Sequence, residues 1–308
     1  VAYSLSPKVC LITPARFLFN AGKTPEQWNK KMLYNEHISV EYYNPKSADV
    51  FPDVLLKGGV AVTYKDDDKN FGVIGLYTHY AELNSILKKV INMDNFESLT
   101  DSIYLQNKFC LDVLYQDYPD YKNFIGSNGR EKRLTTNIFS LLDLFEKDRE
   151  SDTQVEIIGL INNVRCTRYI EPKYILEHQN LFKYKVLLPK TNNTGQLGEV
   201  LSNPLVAEPG IGYTQSFIAI GDFETVDEAA NALKYIKTKF ARTLLGTLKV
   251  TQDTNKGTWQ NVPLQDFTGN SDIDWNQSID EIDEQLYEKY GLNDKEIAFI
   301  KSRIQEMV

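Results

Sequence analysis

The sequence predicts a mixed α+β protein, with a sheet-bearing first part, a second α+β segment and a helical hairpin at the end. Three observations predict it. Short apolar runs of strand length recur, as at residues 9–13 and 157–161; helix-capping patterns stand between them; and Gly, Pro and Asn separate the two. The 308 residues, 42% hydrophobic and 25% charged, form a globular mixture long enough for two domains. Apolar runs stop after about five residues, where a bilayer span needs roughly 20, so no membrane segment is expected.

The elements follow in order. Residues 9–13 (VCLIT) read as a central strand covered on both faces. Thr24, Pro25 and Gln27 place an N-cap hydroxyl, a proline at the first helical position and a glutamine at the third, which opens a helix to about residue 34. Residues 39–43 (SVEYY) read as a strand. Residues 58–64 and 71–77 flank the polar stretch 65–70 and predict a hairpin, with Asp66, Asp67 and Asp68 as a solvated tip rather than a metal-binding knot. Residues 80–91 carry Leu83, Ile86, Leu87, Val90 and Ile91 on one helical face. Turn signals at 118–120 and 126–129 interrupt the stretch 94–150, which reads as a connection.

From Val155 short strands recur, at 155–161, 184–188 and 213–220. Thr225 and Glu228 then cap a helix with Val226, Ala230, Leu233 and Ile236 facing one way. Ser278–Glu281 and Asn293–Glu296 cap two last helices around Gly291.

Charge is unevenly spread. Residues 272–296 hold nine acids and two bases, which is −7 of the net −8, and the other 283 residues sum to −1. A basic groove elsewhere is therefore compatible with an acidic chain. Cys10, Cys110 and Cys166 are odd in number and widely spaced, which fits reduced buried thiols and a cytoplasmic location. The first residue is Val1 with no signal-peptide pattern, and a start without methionine suggests an upstream part.

Common catalytic signatures are absent. No GxxxxGK[ST] loop or G-x-S-x-G elbow occurs, and Gly210 and Gly212 lack the third glycine and the following helix of a dinucleotide site. His37, His79 and His178 are too scattered for a metal centre, and none is expected. Asp152 and Glu156 begin a nuclease spacing, but Ile158 stands where its lysine belongs.

Positive charge is better organised. Arg130, Lys132 and Arg133 follow a Gly/Asn turn; Lys183, Lys185 and Lys190 bracket Tyr184; and Lys234, Lys237, Lys239, Arg242 and Lys249 run without an acid among Tyr235 and Phe240. Such clusters suit phosphate contact, or else form a solvated helix face.

The order of segments resembles the second half of a gamma-class, TaqI-like adenine-N6 DNA methyltransferase. The residues that carry it are VCLITPARFL from Val9, then Val40 to Tyr43 leading into Asp49-Val50-Phe51-Pro52, then GVAVTYK from Gly59. In that family these are the fifth strand, a helix, the sixth strand and the antiparallel seventh strand of a Rossmann-like cofactor sheet. Residues 130–160, 183–189, 209–217 and 237–252 likewise look like the specificity region of restriction-modification polypeptides that fuse methylase and nuclease.

The resemblance implies four parts. Residues 1–95 are the end of a methyltransferase domain, 96–129 a connection, 130–268 a DNA target-recognition domain, and 269–308 an acidic helical tail. It implies double-stranded DNA as partner, with Arg130, Lys132, Arg133, Lys183, Lys185, Lys190, Lys237, Lys239 and Arg242 on phosphates, and Asn192, Asn193, Tyr213, Thr214 and Gln215 on loops that read bases. Tyr64 matches the aromatic that stacks on the flipped adenine, although a tyrosine there also serves as a cross-strand packing residue. Pro14 and Arg16 match the neighbourhood of the cofactor pocket. The family's Asn/Asp-Pro-Pro-Tyr/Phe motif is missing, since none of the eleven prolines are adjacent, and so is the glycine turn that holds S-adenosylmethionine. That cofactor is expected in a parent enzyme and not on this chain, whose partner is the missing N-terminal half; the free edge of the first strand should be covered by a neighbouring chain, a helix or a loop, and a fully solvated edge there would count against the assignment. The rival readings are a non-enzymatic protein-interaction module and, more remotely, a self-contained nuclease.

Overall fold

The computed structural model describes residues 2–19, 24–53, 56, 58–125, 130–191, 196–249 and 252–307. The chain divides into two compact units, residues 1–86 and 87–308. Among the described residues no helix is long and apolar enough to cross a membrane.

The first unit holds strand β1 (Lys8–Pro14), helix α1 (Glu26–Leu33), strand β2 (Ile38–Asn44) and strand β3 (Val60–Asp66). Strand β3 lies in the middle and runs antiparallel to both neighbours, giving the order β1-β3-β2 with β1 parallel to β2. The antiparallel third strand is as expected. Strand β1 is not the central strand expected: it pairs with β3 alone, none of its residues is buried, and Ile12 is 58% exposed. Two-sided burial needs cover on both faces and a partner at both edges. Among the described residues β1 has a strand partner on one edge only.

Other local expectations shift. Pro25 occupies the N-cap of α1, one residue beyond the Thr24 cap expected, and its carbonyl takes the Trp28 and Asn29 N–H groups. The hairpin does not form either. Residues 71–77 are irregular because Gly72 (φ 73°) and Gly75 (φ 59°) turn the chain left-handed, and β3 finds both partners elsewhere. Asp66 is no solvated tip: it is wholly buried and accepts from the Tyr64 hydroxyl at 3.0 Å, with Lys8 at 3.4 Å and Lys69 at 3.8 Å. Ala15, Phe17, Leu18, Met32, Leu33, Ile38 and Ala61 form the core beneath this sheet. Helix α2 (Ala81–Ile91) follows as predicted.

In the second unit the stretch read as a connection is folded in. It holds strand β4 (Ile103–Tyr104), helix α3 (Leu111–Asp117) and the short helix α4 (Ile138–Leu141), and α3, α4 and the segments around them supply Phe109, Leu114, Leu134, Ile138 and Leu142 to one core. The same core takes Val155 and Ile157 of β5 (Val155–Ile161) and Ile170 of β6 (Val164–Ile170).

The predicted strand at 213–220 is two strands in two sheets. Following β7 (Tyr184–Pro189) and β8 (Leu205–Ala207), strand β9 (Ile211–Tyr213) runs parallel to β5 in the sheet β6-β5-β9. After a turn at 214–216, β10 (Phe217–Phe223) enters the sheet β4-β10-β7-β8. Val186, Leu187, Leu188, Ile218, Ala219 and Ile220 are all wholly buried, so these central strands carry cover on both faces.

Helix α5 (Val226–Lys237) packs on β7 and β10, with the Thr225 hydroxyl accepting from Glu228 N–H at 3.2 Å. Its buried residues are Ala229, Ala232, Tyr235 and Ile236, while Val226 is 50% exposed, so the inward face is rotated from the one predicted. Helices α6 (Lys239–Leu245), α7 (Ile279–Lys289) and α8 (Asp294–Arg303) complete the unit, and both predicted capping boxes form, at Ser278 with Glu281 and at Asn293 with Glu296. The acidic tail has the exposed outer face expected, with Asp272, Asp274, Asp280, Glu281, Glu284, Glu288 and Asp294 exposed, and two of its acids turn inward. Asp283 and Glu296 are buried; Glu296 takes Lys89 Nζ at 2.7 Å. The cysteines are free as expected but not buried, since Cys10 is exposed and Cys110 and Cys166 are half-buried.

Candidate nucleic-acid interface

Three of the predicted loop and basic segments meet in the second unit. Lys190 follows the end of β7, where its N–H donates to the Ser216 carbonyl at 2.9 Å and its carbonyl accepts from Thr254 N–H at 2.6 Å. Next to it, Gln215 N–H donates to the Leu134 carbonyl at 2.7 Å, and Leu134 N–H to the Asn107 carbonyl at 3.2 Å. The Asn107 side chain accepts from Tyr213 N–H at 2.9 Å, which fixes the turn into β10. Backbone hydrogen bonds thus hold residues 130–134, 190–191, 213–216 and 253–254 side by side, which segments far apart in sequence achieve only through tertiary pairing.

The electrostatics of this cluster are positive. Arg130 and Lys132 are exposed, and Arg133 and Lys190 are half-buried. None of the four makes an ion pair with a described residue. Burial first, then the nearby Arg133 charge, pushes the Lys190 ammonium below the ordinary lysine range, and Asp253 pulls the other way. The hydroxyls of Ser216 and Thr254 are buried and have no hydrogen-bond partner among the described residues.

The remaining candidates are corrected by their surroundings. Tyr213 and Thr214 are wholly buried, because the turn that carries them is packed between two sheets, and cannot reach a base edge. Lys185 is wholly buried too, its Nζ donating to the carbonyls of Lys183 at 2.8 Å, Leu181 at 3.3 Å and Glu208 at 3.4 Å; burial brings it down to about 8. Arg242 is buried and ties three segments together through the carbonyls of Lys237, Glu199 and Gln305. Lys183 pairs with Glu224, Lys239 with Asp280 at 3.1 Å and Lys249 with Glu199 at 3.1 Å. Lys237, half-buried at the end of α5, has its own partner. Asn192 and Asn193 lie outside the described residues. Nothing in the sequence singles out Ser216 and Thr254, since isolated hydroxyl residues carry no pattern.

In the first unit Tyr64 sits within β3, opposite Cys10 and Ser39, and not after the strand's end. It is half-buried, its ring meets Phe71 edge-on at 6.0 Å, and the hydrogen bond to Asp66 raises its hydroxyl above the usual tyrosine range. Pro14 is exposed at the end of β1. The half-buried Arg16 lies against Gly58, where an added Cβ would come within 3.1 Å of its Cγ. Among the described residues no group of three or more His, Cys, Asp or Glu could hold a metal ion.

Residues 1–51 match the family model described as Eco57I restriction-modification methylase. That stretch spans β1, α1 and β2, the two outer strands of the first sheet and the helix between them. Among solved structures it is similar to the type IIG restriction endonuclease BpuSI, at a TM-score of 0.37 and 12% identity over 96% of this chain and 46% of that one. The chain therefore spans about half the length of that enzyme. No curated protein matches it.

Proposed function

We propose that the chain is the DNA-recognition part of a site-specific adenine-N6 DNA methyltransferase of restriction-modification type. The observation that carries the reading is the meeting of Arg130, Lys132, Arg133, Lys190 and Gln215 in one hydrogen-bonded loop cluster, where no ion pair with a described residue engages the four bases. The family match over residues 1–51 supports it, as does the antiparallel strand between two parallel ones in the first unit. In this reading the four bases contact phosphates and fix register, and Gln215 with the loop beyond Lys190 reads base edges.

The catalytic tetrapeptide and the S-adenosylmethionine loop come from the rest of the polypeptide, whose strands extend the sheet at the unpaired edge of β1. Tyr64 stacks on the extruded adenine, which requires its ring to leave Phe71 and Asp66. The test compares two neutralised forms of the full chain on a mixed-sequence duplex. Replacing Arg133 and Lys190 by Gln is expected to remove two phosphate contacts and flatten the salt dependence of log K by about 1.8. Replacing Lys183 and Lys239 by Gln, both already ion-paired within the chain, is expected to leave it unchanged. The opposite ranking overturns the assignment.

A further inference from the structure

Strands β5 and β6 are joined by two residues, Asn162 and Asn163, since Ile161 pairs directly with Val164. A two-residue hairpin loop needs a left-handed backbone at both positions, and Asn162 (φ 50°) and Asn163 (φ 62°) supply it. Glycine meets that need at least as well at the second position, so the turn alone does not account for two asparagines. Both are exposed, and neither side chain has a hydrogen-bond partner among the described residues. Val164 beside them is 66% exposed although it begins a strand. The tip thus offers two amides and an apolar branch to solvent.

The fold sets this tip beside Gln215. Strand β9 runs parallel to β5 but ends at Tyr213, opposite Ile158, and the Thr214 N–H donates to the Ile158 carbonyl at 2.9 Å. The hairpin continues past that point through Gly159 to Ile161, about 10 Å at the rise of a strand, so its tip projects at the end of the sheet where the chain turns through Gln215. Side chains close the arrangement: the Arg165 guanidinium lies over the Phe217 ring at 5.6 Å and donates to the Asn203 carbonyl at 2.7 Å. Asn203 (φ 41°) is exposed as well, and among the described residues these three asparagines are the only non-glycine residues with a left-handed backbone. Residues 157–170, 200–207 and 211–221 contain two arginines and no acid, in a chain with 42 acids. An uncharged amide tip on an acid-free surface fits a polyanion that displays hydrogen-bonding edges, and a two-stranded ribbon fits the major groove of B-DNA.

We infer that the Asn162-Asn163 tip enters the major groove of the duplex, where its two side-chain amides read base edges and Val164 meets a thymine methyl. This rests on the DNA-recognition reading above and adds to it the residues that set sequence choice. An asparagine amide bonds the N6 and N7 groups of adenine together, so the two amides are assigned to A·T pairs. Arg165 holds the tip against the Gln215 turn and reads no base.

The experiment uses the full chain to select duplexes from a randomised pool, and measures the same chains on a mixed-sequence duplex. Asn162→Gly and Asn163→Gly each keep the left-handed turn and remove one amide; Asn163→Gly is expected to melt no lower than the wild type, since Asn-Gly suits this turn. The wild type is expected to enrich a sequence containing A·T pairs, and each glycine variant to lose about tenfold of the preference at one of them. Because amides carry no charge, affinity for the mixed-sequence duplex should stay within about twofold and its salt dependence should not change. Should the glycine variants loosen the hairpin, Asn163→Asp, which tolerates the same backbone and is expected to shift the preference at one pair from adenine to cytosine, makes the comparison instead. Variants that enrich the wild-type sequence with undiminished preference overturn the tip as a reading element and leave the DNA reading standing. So does a wild type that binds the duplex without selecting any sequence. A wild type that binds no duplex even at low salt overturns both.

Discussion

Helix α6 begins inside the protein, and the manner of its capping leads to a sharp comparison between two substitutions at Asp283. The first N–H groups of a helix lack intrahelical partners. Here Thr238 takes Ala241 N–H at 3.1 Å, and the Asp283 carboxyl, only 2% exposed, takes Lys239 N–H at 2.9 Å and Phe240 N–H at 2.8 Å. Asp283→Ala leaves two buried donors unpaired, a loss of about 2–5 kcal/mol. Burial pushes the Asp283 carboxyl up from 3.8 to about 6, against the pull of the Phe240 and Lys239 N–H groups and of the Lys239 and Arg242 charges. The folded state therefore holds the proton more tightly than the unfolded one. This group's contribution is complete below about pH 4 and falls by about 3 kcal/mol as pH rises through 6.

Asp283→Asn keeps the acceptor and removes the charge. It is expected to match the wild type near pH 4 and to equal or exceed its stability at pH 7. Urea unfolding followed by the buried Trp259 and Trp275 reads both substitutions in the second unit. If Asp283→Asn costs as much as Asp283→Ala at pH 7, the ionised carboxylate is the cap and the burial argument is wrong.

Two further outcomes can be checked on the same chain. Lys185→Met removes a buried charge whose burial lowers it to about 8 together with its bonds to the Lys183, Leu181 and Glu208 carbonyls; wild-type stability should rise with pH between 8 and 10.5 and the variant's should not. An alanine Cβ at Gly212 would come within 2.7 Å of Ile157 and 2.9 Å of the Asn107 oxygen that receives Tyr213 N–H, so Gly212→Ala is expected to cost about 1–3 kcal/mol and to weaken duplex binding by loosening the Gln215 turn; binding at full strength would separate that turn from the interface.

What the sequence disclosed follows the range of the interactions involved. The capping boxes at Ser278 and Asn293 are signals between residues three apart, and both appear in the structure. The strand pattern of residues 39–43 and the helical face of 80–91 are equally local. Strand β1 lies at an edge although its sequence reads as central, because an unbroken apolar run registers hydrophobicity but not whether a neighbouring strand lies at each edge. The inward face of α5 was misplaced because the small residues Ala229 and Ala232 pack closest to the sheet, while pattern reading favours larger Val226 and Leu233.

For the interface, composition located the bases but not their partners. Lys239 meets Asp280, Lys249 meets Glu199 and Lys183 meets Glu224, each some forty or fifty positions away. Only the fold shows that these bases are already engaged. In the same way, nothing in the sequence joins Lys190 to Ser216 and Thr254 before the backbone hydrogen bonds do.

The most direct measurement is a fluorescence-anisotropy titration of the full wild-type chain with a mixed-sequence duplex between about 50 and 200 mM salt. Four phosphate contacts, from Arg130, Lys132, Arg133 and Lys190, predict binding at the lower salt and a loss of about a hundredfold at the higher. No binding at the lower salt, or binding indifferent to salt, would contradict the assignment of this loop cluster to DNA.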